Sequence, residues 1–519
     1  MNIASLLTAA SKPDRPALIF SSPTKSRNSF RELDDLSSRL AEGFCRNGLR
    51  ANDRIVILAS ISLDLYTGLI ALFKIGATAV FLDPQTGFRQ LDRAVELVEV
   101  NGLICSNKAL WLSYFSAALR RIPHVFLTEG NTRRSIHHLA GSFSPRTTVA
   151  DIDEKTPALI TFTGGSTDSS GPRGVIRTHH ILSAQHFSLS RNIPVQPGDV
   201  DLPAFPVATL HNLASGITSV IPDFPFRRPD AVRPEKILGQ IDEFGITTAS
   251  GSPAYWSAIA KYCLRTGRTL PLRRIVTGGA PPSSDLIQQL CQVAPKAQVL
   301  SVYGSTEAEP VAITSADEYL GEVKTRIETG SGVPLGRPVP DICVRILDEN
   351  GREQSAGQVG EIWVSGEHVA RNYFADPGAE SINKRFDAEG RLWHRMGDLG
   401  YRDETERLWL VGRVNTIILR DGRPIYPVPI ETAVARLSFV NRAALIGVPD
   451  TKLGERSALI VEFATDAVKP DEWRAKIQAL CVEHGWIVDE IYPIRHLPMD
   501  ARHNSRIDYQ RLKSKMIRR

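Results

Sequence analysis

Apolar residues follow two alternating spacings along the first 325 residues. Between residues 30 and 47 they recur every three or four positions, which predicts an amphipathic helix. The segments 54–59 and 77–82 are short, largely apolar runs that predict buried strands, and the stretch 63–74 between them again has helical spacing. Strands that alternate with helices in this way are typical of a parallel α/β sheet with right-handed crossovers.

The pattern changes near residue 330. From 336 to 409 the apolar runs are short, alternating and separated by turns, as at 343–347, 360–365 and 408–411, which is typical of an antiparallel sheet or barrel. A smaller α/β segment follows from about 416. We therefore predict an α/β protein with a large N-terminal domain of parallel α/β sheets, residues 1–412, whose part from about 330 to 412 is a small β-barrel. A small C-terminal α/β domain would occupy 416–519.

Composition and charge exclude several classes of protein. The chain has 519 residues, of which 42% are hydrophobic and 23% are charged, the balance of a folded globular protein. A net charge of +5 over this length argues against nucleic acid or an anionic membrane as a partner. The cysteines are far apart and form no Cys-x-x-Cys pair, and no leader or membrane-spanning run is visible, so we expect a reduced, cytoplasmic protein.

A stretch of small and hydroxylated residues is the first candidate for chemistry. An apolar strand at 158–162 runs into Thr-Gly-Gly-Ser-Thr-Asp-Ser-Ser-Gly-Pro-Arg at 163–173. Small residues let successive backbone N–H groups turn inward, and hydroxyls and an arginine add further donors, which favours phosphate binding. The alternative is a flexible surface loop, because Gly/Ser runs are also common in linkers.

Two further segments carry polar groups beside predicted strands. A strand at 298–302 leads into Tyr303, whose ring suits an adenine face, and Thr306 and Glu307, which suit a phosphate and a hard cation. Asp398 and Arg413 suit the hydroxyls of a ribose. The alternatives are a turn with Thr306 as a helix cap, and a hairpin with a surface ion pair.

In order and spacing, these segments resemble the ATP-dependent adenylate-forming superfamily, which includes acyl-CoA synthetases, fatty acyl-AMP ligases, luciferases and peptide-synthetase adenylation domains. The resemblance covers nearly the whole chain. Its matching segments are 74–77, 83–84, 163–175, 278–281, 303–307, 397–398, 412–413, 447–450 and 454–455.

The resemblance implies a reaction, cofactors and site residues. Members activate a small-molecule carboxylic acid with ATP and Mg²⁺, giving acyl-AMP and pyrophosphate. The ATP phosphates would lie at Thr163, Ser166, Thr167 and Arg173, the adenine at Gly279, Ala280 and Tyr303, and the ribose at Asp398 and Arg413. Thr306 would bind phosphate and Glu307 would bind the metal. The C-terminal domain would move about a hinge at 413–416, centred on Asn415, between two half-reactions.

Two positions depart from the superfamily pattern. Arg173 stands in the phosphate loop where lysine is usual, after two extra residues, and Arg506 stands where the C-terminal lysine of the adenylation step belongs. Both substitutions keep the positive charge, but the planar guanidinium fork needs more room than an ammonium.

The sequence around Arg506, Arg-His-Asn-Ser-Arg-Ile at 502–507, resembles the β-lactone synthetases of olefin and natural-product biosynthesis. The segments 203–222 and 250–253 support the same resemblance. It implies a substrate whose own β-hydroxyl attacks the acyl-AMP and expels AMP. His211 is a candidate general base, and Glu309 is another.

Three hypotheses follow. The first is a β-lactone-forming acyl adenylase with Arg506, Glu307, Thr306 and His211 as catalytic residues. The second is an acyl-CoA or acyl-carrier-protein ligase of the same fold. The third is a non-catalytic adenylate-binding homologue, suggested by Arg173 and Arg506.

Overall fold

The computed structural model describes residues 1–9, 12–22, 25–82, 87–130, 132–163, 173–226, 228–464, 470–500 and 506–517. Its helices are α1 (Ala4–Thr8), α2 (Phe30–Arg46), α3 (Leu63–Ile75), α4 (Gly87–Val98), α5 (Asn107–Leu110), α6 (Ala117–Arg120), α7 (Ile136–Ser142), α8 (His179–Asn192), α9 (Ala208–Ala214), α10 (Pro234–Phe244), α11 (Pro253–Thr266), α12 (Ser284–Val293), α13 (Ala316–Leu320), α14 (Lys324–Glu328), α15 (Pro377–Asn383), α16 (Pro427–Val434), α17 (Pro470–Glu483) and α18 (Tyr509–Ile517).

Its strands are β1 (Pro16–Phe20), β2 (Ser26–Ser29), β3 (Arg54–Leu58), β4 (Thr78–Phe81), β5 (Gly102–Cys105), β6 (His124–Leu127), β7 (Pro157–Thr163), β8 (Arg173–Thr178), β9 (Val200–Pro203), β10 (Thr218–Ile221), β11 (Thr248–Gly251), β12 (Arg274–Gly278), β13 (Gln298–Ser305), β14 (Ala308–Ser315), β15 (Val333–Pro338), β16 (Ile342–Leu347), β17 (Gly360–Gly366), β18 (Tyr373–Phe374), β19 (Lys384–Phe386), β20 (Leu392–Arg402), β21 (Leu408–Arg413), β22 (Ile418–Arg420), β23 (Arg423–Ile425), β24 (Val440–Asp450), β25 (Gly454–Phe463) and β26 (Glu490–Ile494).

The strands form three sheets. The first has the order β18-β8-β7-β4-β3-β5-β6, and its pairs from β7 to β6 are parallel. The second runs β2-β1-β10-β9-β11-β12-β13-β14, is parallel from β1 to β13, and continues through the antiparallel strands β15-β21-β20-β17-β16. The third contains β22 to β26 of the C-terminal part. The predicted α/β class is therefore confirmed.

The predicted elements form where the sequence has both an apolar face and an end signal. The helix expected over 30–47 is α2, which starts at a capping box between Ser29 and Glu32. The helix expected over 63–74 is α3, which begins after the cap Ser62 and ends at Gly76 in the left-handed conformation. Burial of their apolar faces against the sheets explains why the periodicity predicted both elements.

Three hairpins interrupt the parallel pattern that the sequence predicts up to residue 325. The pairs β1–β2, β7–β8 and β13–β14 are antiparallel. Their connections are too short for a helical crossover, and a parallel pair needs such a crossover. The β13–β14 turn consists of Thr306 and Glu307 alone, so two candidate site residues form the tip of a hairpin.

The antiparallel strands expected between 336 and 409 are present. β15, β16, β17, β20 and β21 extend the second sheet, β19 pairs with β20, and β18 joins the first sheet beside β8. The domain limits 1–412 and 416–519, the barrel part and the hinge stay predictions. Within the described ranges, none of the helices combines the length and the apolar character that a membrane span requires.

Candidate active site

The carboxyl ends of the neighbouring parallel strands β9, β11, β12 and β13 meet at one edge of the second sheet. The register pairs Gly278, at the end of β12, with Val302 of β13. Gly279 follows the first of these residues and Tyr303 follows the second, so the two predicted adenine-side positions are neighbours. Open α/β sheets bind their ligands at this edge.

The loop after β12 depends on glycine. Gly279 has φ of 79°, a conformation that side chains with a Cβ rarely adopt. A Cβ at this position would lie 3.8 Å from Phe205, so the loop borders the segment that follows β9. Ala280 comes next and is half-buried. This loop therefore offers backbone groups and a small side chain to a ligand at the sheet edge.

Tyr303, Asp398 and Arg413 form one hydrogen-bonded group. The Tyr303 hydroxyl donates to Asp398 Oδ2 at 2.7 Å, and Arg413 Nε lies 3.0 Å from Asp398 Oδ1. Asp398 of β20 and Arg413 of β21 are partners in the strand register, so they lie side by side although 14 residues separate them in the sequence. Burial, and then the Asp398 carboxylate, hold the pKa of Tyr303 well above its usual range, so its hydroxyl remains a donor.

Thr306 and Glu307 at the hairpin tip are half-buried. Glu307 is held through both its backbone and its side chain. Its backbone carbonyl accepts from the Ala370 N–H at 2.7 Å, and its Oε1 accepts from the Tyr373 hydroxyl at 3.1 Å. Burial and the adjacent Glu307 carboxylate raise the pKa of Tyr373, which stays a neutral donor. The tip thus presents a fixed carboxylate beside a threonine.

The predicted phosphate loop lies between β7 and β8. Arg173 begins β8, pairs in register with Thr163 of β7, and lies 3.9 Å from Asp376 through Nε. For Thr163 the backbone is described, whereas Ser166 and Thr167 lie outside the described residues. The structure therefore places Arg173 beside β7, the strand that precedes the predicted phosphate loop.

Arg177, which is buried, and Glu309, which is half-buried, carry opposite charges, and Glu309 lies two residues after Glu307 of the hairpin tip. Arg177 is 8% exposed and donates to Thr161 Oγ1 at 2.9 Å. Burial lowers the pKa of Arg177, and the carboxylates of Glu309 and Glu307 oppose that shift. Burial raises the pKa of Glu309, and Arg177 opposes it. The sequence pattern did not single out Arg177; its one signal was a charge within the largely apolar strand β8.

Lys384 is a second buried cation that the sequence pattern did not single out. It is 9% exposed, and its Nζ donates to the Ala370 carbonyl. Burial lowers the pKa of Lys384 to about 8, while Glu307 and Glu380 oppose the shift. Burial, together with the Lys384 charge, also holds the pKa of His394 well below its usual range. The region around Glu307 is therefore rich in buried charge.

His211 lies on α9, which follows the end of β9. Its Nδ1 is 3.1 Å from Nδ1 of His186 on α8. Burial, and then the neighbouring His186, lower the pKa of His211 to about 3, so the ring is neutral near pH 7. Tyr66 fixes the start of α9 by donating to Thr209 Oγ1 at 3.0 Å. His186 is a partner that the sequence alone did not reveal.

Arg506 reaches the site from the C-terminal part of the chain. Its Nε donates to the Gly279 carbonyl at 2.9 Å, and its charge opposes the rise in the pKa of Tyr303. Asp500 Oδ1 accepts from the Arg506 backbone N–H at 2.9 Å. Arg506, the loop at Gly279 and the Tyr303–Asp398–Arg413 group therefore lie close together.

Comparison with known proteins agrees with this geometry. The model of the family described as AMP-binding enzyme matches residues 7–374. The chain is 29% identical over 510 residues to olefin beta-lactone synthetase of Stenotrophomonas maltophilia (strain K279a), and 31% identical over 509 residues to the enzyme of the same name from Xanthomonas campestris pv. campestris. Each alignment covers 93% of this chain and 90% of the relative.

Comparison with solved structures supports the architecture described above. The crystal structure of ATP bound MatB from Rhodopseudomonas palustris matches with a TM-score of 0.83 and 20% identity, and the match covers 99% of each chain. The architecture of the chain agrees with the family match over residues 7–374. The chain belongs to the AMP-binding enzyme family and is an ATP-dependent, adenylate-forming enzyme.

Proposed function

We propose that this enzyme activates a β-hydroxy carboxylic acid as its acyl-AMP and closes the product to a β-lactone, with release of AMP. The observation that carries the adenylation step is the convergence of Arg506, Gly279 and the Tyr303–Asp398–Arg413 group at one sheet edge. The similarity to two olefin beta-lactone synthetases over 93% of the chain supports the second step.

The nucleoside would be held by the Tyr303–Asp398–Arg413 group. A ribose diol donates to carboxylate oxygens, and Asp398 is a fixed acceptor whose position is already set by two partners. The Tyr303 ring would lie against the adenine. An arrangement that is fixed before ATP arrives loses little freedom on binding, which favours accurate alignment of the phosphates.

In the first half-reaction a carboxylate oxygen attacks the α-phosphorus of ATP, the bond to the β-phosphate oxygen breaks, and pyrophosphate leaves. Arg173 and Arg506 would neutralise the negative charge that accumulates on the phosphates and the incoming carboxylate. Thr306 would donate to a phosphate oxygen.

The residues also fit a magnesium ion carried by ATP. In the described part of the chain no three His, Cys, Asp or Glu side chains cluster as metal ligands. Mg²⁺ in nucleotide enzymes needs no such cluster, because one or two carboxylates and the phosphates suffice. Glu307 offers a hard oxygen ligand at the hairpin tip and would hold the ion. When bound, Mg²⁺ would offset phosphate charge.

In the second half-reaction the substrate's β-hydroxyl oxygen bonds to the acyl carbon, the anhydride bond to AMP breaks, and the hydroxyl proton moves to a base. His211 is the proposed acceptor, since its imidazole is neutral near pH 7. Attack within one molecule benefits from an effective concentration on the order of 10⁵ M or more when well aligned. Exclusion of water prevents hydrolysis of the anhydride.

Product analysis tests both steps. The enzyme is incubated with Mg-ATP and a panel of β-hydroxy acids, with and without coenzyme A, and products are identified by mass spectrometry and NMR. Equal lactone formation in both conditions is the expected result. Thioester formation that requires the thiol, with no lactone, would replace the second step with an acyl-CoA ligase reaction. A carrier-protein thiol is tested in the same way.

ATP–pyrophosphate exchange separates the first step from the second. We expect exchange that depends on the acid. If exchange occurs but no lactone or thioester forms, the adenylation proposal stands and the cyclisation proposal fails. If exchange is absent with every acid, the adenylation proposal fails for this panel.

A further inference from the structure

The proposed metal ligand Glu307 sits in a closed set of contacts that extends to a buried lysine. The Glu307 carbonyl accepts from Ala370 N–H, and the Ala370 carbonyl in turn accepts from Lys384 Nζ. Lys384 Nζ also lies 5.3 Å from the centroid of the Tyr373 ring, and the Tyr373 hydroxyl donates to Glu307 Oε1. These contacts therefore form a closed loop that starts and ends at Glu307.

The lysine in this set is costly to bury. Lys384 is 9% exposed, and an ammonium in such an environment requires compensation. The Ala370 carbonyl, the face of the Tyr373 ring and the charges of Glu307 and Glu380 supply it. A neutral apolar side chain would fill the space without that requirement, so the charge at Lys384 calls for an explanation in the site.

Tyr373 is fixed from three sides. Its ring is 4% exposed, its backbone N–H donates to Glu380 Oε1 at 2.9 Å, and its strand β18 pairs with β8. In that pairing Tyr373 lies opposite Val175, two residues after Arg173. The strand that leaves the phosphate loop therefore pairs with the strand that carries Tyr373.

We propose that Tyr373 and Lys384 are positioning residues that hold the Glu307 carboxylate in the orientation required to bind the magnesium ion of ATP. This inference rests on the proposed role of Glu307. Tyr373 acts on the carboxylate through one hydrogen bond. Lys384 acts through Ala370 on the backbone of Glu307 and through the ring of Tyr373.

The test measures metal binding directly. Mn²⁺ replaces Mg²⁺ as a paramagnetic probe, and its dissociation constant is measured by electron paramagnetic resonance with the protein saturated by α,β-methylene-ATP. Binding of AMP without metal is measured by calorimetry as the reference. Lys384→Met should weaken Mn²⁺ binding by about tenfold or more and change AMP binding by less than about threefold. Tyr373→Phe, which removes one oxygen atom, should weaken Mn²⁺ binding by about three- to tenfold.

The control is Lys74→Met. Lys74 is also buried, at 3% exposure, and is bonded to Asp34 and Ser38 away from the Glu307 group. The Lys74→Met variant should lower the free energy of unfolding without weakening Mn²⁺ binding. Lys384→Arg, which keeps the charge, should restore part of the metal affinity.

Two results decide the outcome. Wild-type metal affinity in both Tyr373→Phe and folded Lys384→Met would overturn the positioning role, as would equal losses of metal and AMP binding. Glu307→Gln reports separately on the proposed function. Unchanged Mn²⁺ affinity in that variant would overturn Glu307 as the metal ligand, and the positioning role would fall with it.

Discussion

His211 and His186 show how burial sets the chemistry of single residues. Two ring nitrogens 3.1 Å apart share one hydrogen, so one Nδ1 donates and the other accepts. The donating ring keeps its Nε2 as an acceptor. Desolvation favours the neutral rings, and the pKa of His211 falls to about 3. The negative charge of a bound adenylate would raise that value toward the range that a general base needs.

Replacement of His211 by glutamine should separate the two half-reactions. If His211 accepts the β-hydroxyl proton, lactone formation should slow by about 10²- to 10⁴-fold, the usual range for loss of a general base. ATP–pyrophosphate exchange should stay within about threefold of wild type, since adenylation does not use this proton. Both rates are measured on the same preparation.

The control for this variant is His138→Gln, because His138 is exposed on α7. It should change neither rate. Lactone formation at the wild-type rate in His211→Gln would rule out His211 as the base and would direct attention to Glu309.

Residues of the candidate site were predictable where a short segment carries the chemistry. Tyr303, Thr306 and Glu307 lie in one short segment, so the family resemblance could assign them nucleotide and metal roles together. The structure brings Tyr303 to Asp398. Lys384 and His186 were not predictable. The spacing of apolar residues predicts which face of a strand or helix a residue occupies. It does not predict which side chain of another element will contact that residue.

At the scale of elements, Glu431 joins three segments of the C-terminal part. It lies on α16, accepts from the Leu445 N–H of β24 at 2.7 Å, and accepts from the Tyr509 hydroxyl of α18 at 2.8 Å. Burial raises the pKa of Glu431 from 4.5 to about 7. Burial therefore disfavours the ionised form of Glu431 in the folded protein, although its hydrogen bonds to Leu445 and Tyr509 favour that form.

This shift predicts that the C-terminal part loses stability as pH rises. The contribution of Glu431 is fully present below the unfolded-state pKa of 4.5 and is lost as pH rises through about 7. Between pH 5 and pH 8 we expect a loss on the order of 1–3 kcal/mol in the free energy of unfolding. Glu431→Gln should lack this component. Urea unfolding followed by tryptophan fluorescence at both pH values measures the difference.

Glu472→Gln is the matched control, since Glu472 is exposed on α17 of the same region. Its pH dependence should equal that of wild type. A wild-type pH dependence in Glu431→Gln as well would show that the buried carboxyl does not control the stability of α18.

The elements themselves were largely predictable, and the hairpins were not. The run 54–59 became β3 (Arg54–Leu58), because an apolar run with turn signals at its ends has few other ways to be buried. The turn at 306–307 lacks the Asn-Gly or Asp-Gly signal of a tight hairpin. The pairing of β13 with β14 depends on the rest of the second sheet, and the sequence of the turn carries no information about that sheet.

Both apolar and polar contacts cross the predicted domain boundary. Tyr426 and Val428 pack against the large core of the N-terminal part. Arg506 donates to Gly279, and Arg436 of α16 lies 2.7 Å from Glu328 of α14. Exposed ion pairs of this kind contribute little to stability, typically below about 1 kcal/mol. Polar contacts that are this weak are compatible with the predicted movement of the C-terminal part between half-reactions.

The proposed role of Arg506 would link the position of the C-terminal part to adenylation. Arg506→Ala should slow ATP–pyrophosphate exchange by about 100-fold, since a charge that stabilises the transition state is removed. Arg506→Lys should retain most of the activity, because a compact ammonium keeps the charge and needs less room than the guanidinium. Product formation from chemically prepared acyl-AMP should be unchanged in both variants. Arg495→Ala, at an exposed arginine of the same region, is the control. Normal exchange in Arg506→Ala would mean that another cation serves this step, and Arg502 would be examined next.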